Sequence, residues 1–306
     1  MFLKNCFALL LLFFSVHARA QQNLPDTAQL FQDIRVLSAD SMAGRKSGTE
    51  GSRKAQRYLE QRFKQIGLTA YNKTYKQHVR LQKEKLVVED AINLIGYIPG
   101  QTQEVLVVTA HYDHLGQRQA SIFNGADDNA SGVGAMLAIA AYFKKHQPYY
   151  TLLFVALDGE ELGLQGANAF LNAPPVPLHN IMLNVNLDML SINSKGELYA
   201  SGSYHYPWLL PYLQQVKALP HAAIRVGHDR PEQGPQDWTN QSDHYQFHKR
   251  ELPFIYFGVE DHTHYHQTTD TFENINRPFY ADATALVLDF IQIVDQQHRP
   301  KPNQQK

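Results

Sequence analysis

The chain has 306 residues, of which 43% are hydrophobic and 19% charged, with 28 Lys and Arg residues against 29 Asp and Glu residues. This composition is typical of a globular protein and excludes a disordered chain, a coiled coil and a repeat array. The nearly balanced charge also argues against a nucleic-acid partner, because no excess of basic residues is present to neutralise phosphates.

Residues 1–20 have the pattern of a signal peptide. Lys4 is followed by an apolar stretch at 7–14 and by the small-x-small sequence Ala18-Arg19-Ala20. The apolar stretch is too short to span a bilayer, so we expect no stable membrane anchor. Cleavage would remove Cys6, the only cysteine, and with it any thiol nucleophile or thiolate metal ligand. We therefore expect an exported protein, either periplasmic or secreted.

The remaining residues, 21–306, are expected to form a single domain with a helical lead-in from residue 23 to about residue 68. Apolar positions at helical spacing predict helices over residues 27–37, 49–66, 132–145, 162–171, 208–219 and 278–296. Alternating or continuous apolar runs predict strands within 73–98 and over 104–110, 151–157, 181–190 and 253–259. Strands alternating with helices predict an α/β three-layer sandwich, with a mixed, mostly parallel central sheet and helices on both faces.

Acids and histidines follow the predicted strands. They are, in chain order, His111 and Asp113, Asp128 in a turn that opens a helix, Glu160 and Glu161, Asp188, and the histidine-rich segment 260–266. Each of these alone could be a helix cap or a satisfied polar residue at a strand end. In an open α/β sheet, however, the carboxyl ends of the strands form the ligand site, so the convergence of these groups indicates one functional site.

Imidazole and carboxylate groups without thiolate suit zinc or another divalent first-row ion. Two ions about 3.5–4 Å apart need a bridging carboxylate and separate ligands on each side. The adjacent acids Glu160 and Glu161 suit that arrangement, because neighbouring residues point in different directions and one can bind metal while the other addresses water. Asp113 lies two residues after His111 and is expected to hold the far nitrogen of that imidazole.

Five motifs in this order resemble a known family: HYDHLG (111–116), GADDNASG (125–132), DGEELGLQGA (158–167), NVNLD (184–188) and HYHQTTDT (264–271). They resemble the exported co-catalytic zinc aminopeptidases related to bacterial leucyl aminopeptidase and glutamate carboxypeptidase. The resemblance extends over residues 40–294. It implies a metallopeptidase domain that removes N-terminal residues from a peptide substrate with two zinc ions, or with cobalt or manganese in their place.

The resemblance implies five metal ligands: His111 and Asp188 for the first ion, Glu161 and His266 for the second, and Asp128 as a bridge between them. Glu160 would be the general base that takes a proton from the attacking water. The peptide bond between Asp128 and Asn129 would be cis. Among the histidines of the last motif, the spacing to Asp270-Thr271 selects His266.

The other polar residues near these motifs have weaker assignments. His262 and His264 have the chemistry for a contact with metal or substrate, but a place in a solvated loop is favoured for both, and His114 is expected in local packing. Tyr265 could donate a hydrogen bond to the developing oxyanion or stack against its loop. Asp243, within Ser242-Asp243-His244, is expected to anchor its loop.

Two other functions are compatible with the sequence. A glutaminyl cyclase, an acyltransferase with a single zinc on a similar sheet, would retain the acid pair and the final histidine. The full ligand sets for two metals and the Asp270-Thr271 ending favour the peptidase. A non-catalytic domain such as that of the transferrin-receptor branch is disfavoured, because that branch has lost metal ligands and this sequence has not. No motif specifies an oligomeric state.

Overall fold

The computed structural model of the protein describes residues 26–297. The predicted signal peptide at 1–20 lies outside the described residues. Within residues 26–297, none of the helices combines the length and apolarity needed to cross a bilayer.

The described α-helices are α1 (Thr27–Leu37), α2 (Glu50–Ile66), α3 (Gly132–Lys145), α4 (Gln165–Asn172), α5 (Leu210–Leu213), α6 (His244–His248) and α7 (Arg277–Gln296). Local sequence fixes several of their ends. Helix α2 begins after Thr49, whose side chain accepts a hydrogen bond from the Ser52 N–H, and ends at Gly67, where φ is 80°. Asn276 caps α7 in the same way, through the Phe279 N–H.

The described strands are β1 (Thr69–Ala70), β2 (Lys76–Lys83), β3 (Leu86–Ile98), β4 (Val105–His111), β5 (Gly116–Arg118), β6 (Ser121–Phe123), β7 (Thr151–Leu157), β8 (Ile181–Leu187), β9 (Glu197–Ser201), β10 (Ala223–Val226) and β11 (Phe254–Gly258). Nine of them form one sheet in the order β1-β3-β7-β4-β8-β11-β9-β10, with β2 paired to β3. Pairing is parallel among β7, β4, β8 and β11 and between β9 and β10, and antiparallel elsewhere in the sheet.

The sheet lies between two helical layers. Along β7, Leu152 and Phe154 pack into a core cluster with α1, α2, α3 and α7, whereas Leu153 and Val155 pack on the other face with Phe170 of α4 and with α6. This alternation follows from the period of two along a strand. The predicted α/β architecture, a mixed sheet with helices on both faces, is therefore confirmed, but the sheet is not mostly parallel, since four of its eight strand pairings are antiparallel. Helices α1 and α2 pack against the core.

The prediction of one helix over 208–219 is wrong. The segment contains a short 3-10 turn, Pro207–Leu209, followed by the single turn α5. Pro211 lacks a backbone N–H and is tolerated only in the first turn of a helix, so a helix that started at Trp208 could not continue through it, and α5 begins at Leu210 instead. Strands β9 and β10 were not predicted from the sequence either. β10 is a four-residue strand at the sheet edge whose Arg225 and Val226 are exposed, and β9, between β10 and β11, has only five residues, so no long apolar run marks either strand.

The parallel pairing brings the ends of four strands to one edge. His111, the last residue of β4, is in register with Leu157, the last residue of β7. The acid pair follows β7, Asp188 directly follows β8, and the histidine-rich segment follows β11. The carboxyl edge of the sheet therefore carries the acids and histidines that the sequence predicts to form one functional site.

Candidate metal centre

Asp128 lies between two groups of possible ligands. Its Oδ1 is 3.5 Å from Nε2 of His111, and its Oδ2 is 3.1 Å from Nε2 of His266. The side chain is buried. Each carboxylate oxygen therefore faces a different imidazole, which is the geometry of a bridging ligand.

The first group consists of His111, Asp128 and Asp188, whose ligand atoms all lie within 4.8 Å of one another. Nε2 of His111 is 3.2 Å from Oδ1 of Asp188. Ligands at the usual zinc distances are separated by about 3.3 Å along a tetrahedron edge, so the separations match those of a zinc site. The other Asp188 oxygen accepts a hydrogen bond from Oγ of Ser242 at 2.7 Å, which fixes the carboxylate.

The second group surrounds Oε1 of Glu161. Nε2 of His266 is 3.7 Å from this oxygen, and Nδ1 of His114 is 2.9 Å from it. His114, Asp128 and Glu161 have ligand atoms within 4.8 Å of one another. His114 is buried, as expected of a packing residue, but its ring faces the acids, which the sequence analysis did not anticipate.

The buried carboxylates of the site favour the binding of a cation. Burial raises the pKa of Glu160 well above its usual range and also raises that of Glu161. Burial opposes charge on His111, but the carboxylates of Asp188 and Glu160 outweigh this effect and raise its pKa well above the usual value. Burial lowers the pKa of His114 to about 3, so its imidazole is neutral at physiological pH. A bound divalent ion would favour the charged form of each carboxylate.

Two buried ligand atoms have no hydrogen-bond partner among the described residues: Oε1 of Glu161 and Nδ1 of His114. Unsatisfied buried polar atoms are costly and call for an unseen partner. Together with the imidazole and carboxylate donors and their spacing, this indicates that the site fits a divalent ion such as zinc.

Asp113 differs in part from its expected role. Nδ1 of His111 is 3.2 Å from the Asp113 backbone oxygen and 3.7 Å from its carboxylate, so the carbonyl is the nearer partner. The Asp113 carboxylate instead accepts hydrogen bonds from the backbone N–H groups of Glu160 at 3.1 Å and Glu161 at 3.3 Å. Asp113 thus ties the acid pair to the end of β4.

The loop containing Asp128 is held from several sides. The Asp128–Asn129 peptide is cis, as the resemblance implied. The Asn129 side chain donates to the Leu187 carbonyl and accepts from the N–H groups of Gly132 and Met189. These contacts link the loop to the end of β8, where Asp188 stands.

The expectation that His262 lies in a solvated loop is wrong. Its Nε2 is 2.8 Å from Oδ2 of Asp127, and its side chain is 13% exposed. Oδ2 of Asp127 attracts the imidazole, and Oδ1 of Asp127 accepts hydrogen bonds from the N–H and Oγ of Ser191. His264 is half-buried, and its Nδ1 is 2.9 Å from Oγ1 of Thr269.

Tyr265 stacks on His266, with ring centroids 3.9 Å apart and an interplanar angle of 24°. Of the two roles considered, this contact matches the stacking one, although Tyr265 also lines the cleft.

Asp243 is fully buried, and neither of its carboxylate oxygens has a hydrogen-bond partner among the described residues. Its neighbour Ser242 makes the anchoring contacts instead, to Asp188 and Asn186.

An open cleft with an empty volume of about 500 Å³ leads to the ligands. Glu160 and Glu161 line it together with His111, Asp128 and Asp188. Its remaining wall includes apolar and aromatic side chains, namely those of Met189, Trp238, Tyr256 and Val259. A substrate can therefore reach the acids and place an apolar group beside them.

Arg45 supports the site and was missed by the sequence analysis. Its fully buried guanidinium donates to four backbone carbonyls, those of Leu37, Tyr112, Asn124 and Gly125, at 2.6–2.8 Å. Tyr112 lies between His111 and Asp113, and Gly125 opens the turn that leads to Asp128. Because all four acceptors are backbone atoms distant in sequence, no motif spacing could have identified this residue.

Comparison with known proteins gives a family and a fold. The model of Peptidase family M28 matches residues 93–291. The chain is 29% identical over 213 residues to Aminopeptidase YwaD of Bacillus subtilis (strain 168), an alignment that covers 65% of this chain and 43% of that protein. The chain spans about half the length of the first two curated relatives that it matches.

Two solved structures from Bacteroides thetaiotaomicron have the same fold. A leucine aminopeptidase precursor superposes with a TM-score of 0.71 at 17% identity, covering 88% of this chain and 97% of that one. A glutaminyl cyclase bound to N-acetylhistamine superposes with a TM-score of 0.71 at 18% identity, covering 88% and 99%. At these identities the likeness concerns the fold alone.

Proposed function

Because the chain belongs to peptidase family M28, we propose that it is a zinc-dependent exopeptidase that removes N-terminal residues from peptides. One observation carries the proposal: the two oxygens of Asp128 face separate ligand groups at the floor of an open cleft. Zinc held by these residues would act as a Lewis acid that polarises the scissile carbonyl and makes the attacking water more acidic.

We propose two ions. His111, Asp128 and Asp188 would hold the first, and Asp128, Glu161 and His266 the second. The support is the separation of the ligand atoms and the orphaned Glu161 oxygen. A bridging carboxylate with separate ligands on each side is what a pair of neighbouring ions requires.

Glu160 is the proposed general base. Its side chain lines the cleft beside the proposed metal ligands but belongs to neither group of ligand atoms. Its backbone N–H donates a hydrogen bond to the carboxylate of Asp113. There its carboxylate can take a proton from the attacking water and return it to the leaving amine. The surrounding carboxylates of Glu161, Asp188 and Asp261 favour a substrate that presents a free, positively charged α-amino group to the cleft.

We also propose export to the periplasm or beyond, on the strength of the signal-peptide pattern at residues 1–20. Secreting the full chain from a bacterial host and sequencing the N-terminus of the exported product tests this. Cleavage after Ala20 is the expected result, and retention of the uncleaved chain in the cytoplasm contradicts it.

The proposed activity is tested by measuring metal content and hydrolysis together. Purified protein should contain two zinc ions per chain and should release free amino acids from unblocked peptides but not from N-acetylated ones. A protein that takes up no divalent ion, or that cleaves only blocked peptides, contradicts the proposal.

The second candidate is a glutaminyl cyclase, favoured by the shared fold. Incubation with an N-terminal glutaminyl peptide separates the two activities, because a peptidase yields free glutamine and a shortened peptide, whereas a cyclase yields the pyroglutamyl peptide and ammonia. We expect glutamine.

A further inference from the structure

We propose that His114 is a direct ligand of the second metal ion, through Nδ1, in addition to His266. This inference rests on the proposed dizinc function and changes the composition of the second site. That site would then contain two imidazoles and two carboxylates, whereas the first contains His111, Asp128 and Asp188.

The distances in the second group support a role for His114 as a metal ligand. Nδ1 of His114 lies 2.9 Å from Oε1 of Glu161 and 3.5 Å from Oδ2 of Asp128. Nε2 of His266 approaches the same two oxygens at 3.7 and 3.1 Å. These separations lie on either side of the value of about 3.3 Å expected between two ligands of one tetrahedral zinc ion. His114 is therefore as close to the carboxylate pair as His266 is.

The burial of His114 also supports this role. The His114 side chain is fully buried, whereas that of His266 is 38% exposed. Both ring nitrogens of His114 lack a hydrogen-bond partner among the described residues. Its 2.9 Å approach to Glu161 does not have hydrogen-bond geometry, so the approach leaves both groups unsatisfied. An ion between them would give Nδ1 and the Glu161 oxygen the partner that each lacks.

The ring is also held in this orientation. A Cβ added to Gly125, where φ is +60°, would lie 2.5 Å from Cδ2 and 2.7 Å from Cγ of His114. The imidazole of His114 therefore packs directly on the backbone of Gly125. Any residue with a side chain at position 125 would displace the imidazole. A preorganised ligand of this kind loses little freedom when it binds a metal.

With His114 as a ligand, the two sites should differ in their affinity for zinc. Imidazole ligands favour zinc over magnesium and manganese, which prefer oxygen. The second site, with His114 and His266, should retain zinc against chelators and against these competitors. The first site, with one imidazole, should release its ion more readily.

The decisive experiment uses the wild-type protein loaded with cadmium-113 and labelled with nitrogen-15 at histidine. Nitrogens bonded to the metal show scalar coupling to cadmium. We expect coupling at His111, His114 and His266, with that of His114 at Nδ1. Coupling at His111 and His266 but not at His114 overturns the proposal, and this measurement needs no variant that could misfold.

Variants provide a second measurement. His114→Gln should lose the second ion at a dipicolinate concentration at least about tenfold lower than wild type does. The matched control is His244→Gln, because His244 is also fully buried but contacts the Trp238 carbonyl at 2.9 Å rather than the ligands. Equal retention of both ions in His114→Gln and wild type contradicts the proposal.

These outcomes are distinguishable from failure of the proposed function. If cadmium couples to His114 but no peptide is hydrolysed, the ligand assignment stands and the activity does not. If peptides are hydrolysed and His114 shows no coupling, the activity stands and the ligand assignment is wrong. If the wild-type chain binds no divalent ion, both are wrong.

Discussion

The carboxylate of Asp270 accepts hydrogen bonds from the backbone N–H groups of Asp127 at 2.8 Å and Asp128 at 3.0 Å. Asp270 is buried and belongs to the loop that carries His266. One side chain thus fixes the backbone at Asp128, the proposed bridging residue, relative to the segment that carries His266. The Asp-Thr sequence, which served to select His266 by spacing, therefore has a structural role of its own.

Replacing Asp270 with Ala should lower the free energy of unfolding of the metal-free protein by about 1–3 kcal/mol, because two backbone N–H groups lose their buried acceptor. Urea denaturation measures the change. The control is Asp282→Ala, since Asp282 accepts one backbone hydrogen bond, from His221, at an exposed position. If the two variants lose the same stability, burial of the Asp270 contact does not matter.

Replacing Glu160 with Gln should lower kcat by about 10²–10⁴-fold, because an amide cannot accept the proton of the attacking water. Metal content and KM should stay close to wild type, since Glu160 belongs to neither group of close ligand atoms. Steady-state kinetics and elemental analysis of the same preparation measure both. Glu50→Gln, an exposed acid of α2, is the control and should retain full turnover. Wild-type kcat in Glu160→Gln means that another group is the base.

The sequence predicted the groups that converge at the sheet edge but not all of their contacts. Strands β4, β7 and β11 are almost entirely apolar, and β8 is interrupted only by Asn184 and Asn186, so their ends, and the residues that follow, could be placed. Ring and carboxylate orientations could not: His114 was expected to pack and faces Glu161, and Asp243 was expected to anchor its loop although Ser242 does so. These orientations depend on tertiary contacts between segments far apart in the chain, which leave no local periodicity.

Replacing Arg45 tests how much the loops that carry the proposed metal ligands depend on a residue far from them in the sequence. Burial lowers its pKa to about 10, so the guanidinium stays charged at neutral pH. Arg45→Met would leave four buried carbonyls without donors and should lower stability by about 3–5 kcal/mol. Arg45→Lys keeps the charge but not the fork of donors and should fall between Met and wild type.

Thermal unfolding of the metal-free Arg45 variants measures these changes. The control is Arg53→Met, because Arg53 forms exposed ion pairs with Glu50 and Asp90 and should change stability by less than about 0.5 kcal/mol. Equal effects at the two arginines contradict the role assigned to Arg45.

Removal of metal should destabilise the folded protein as well as abolish activity. A ligand that binds only the native state at one hundred times its dissociation constant contributes about 2.7 kcal/mol, so dipicolinate treatment should lower the melting temperature by about 5–10 °C. Zinc should restore both properties, whereas magnesium should not, because His111 and His266 are poor ligands for it. Calorimetry before and after chelation provides the measurement. An unchanged melting temperature, with activity intact, would show that the carboxylates and imidazoles at the sheet edge hold no functional ion.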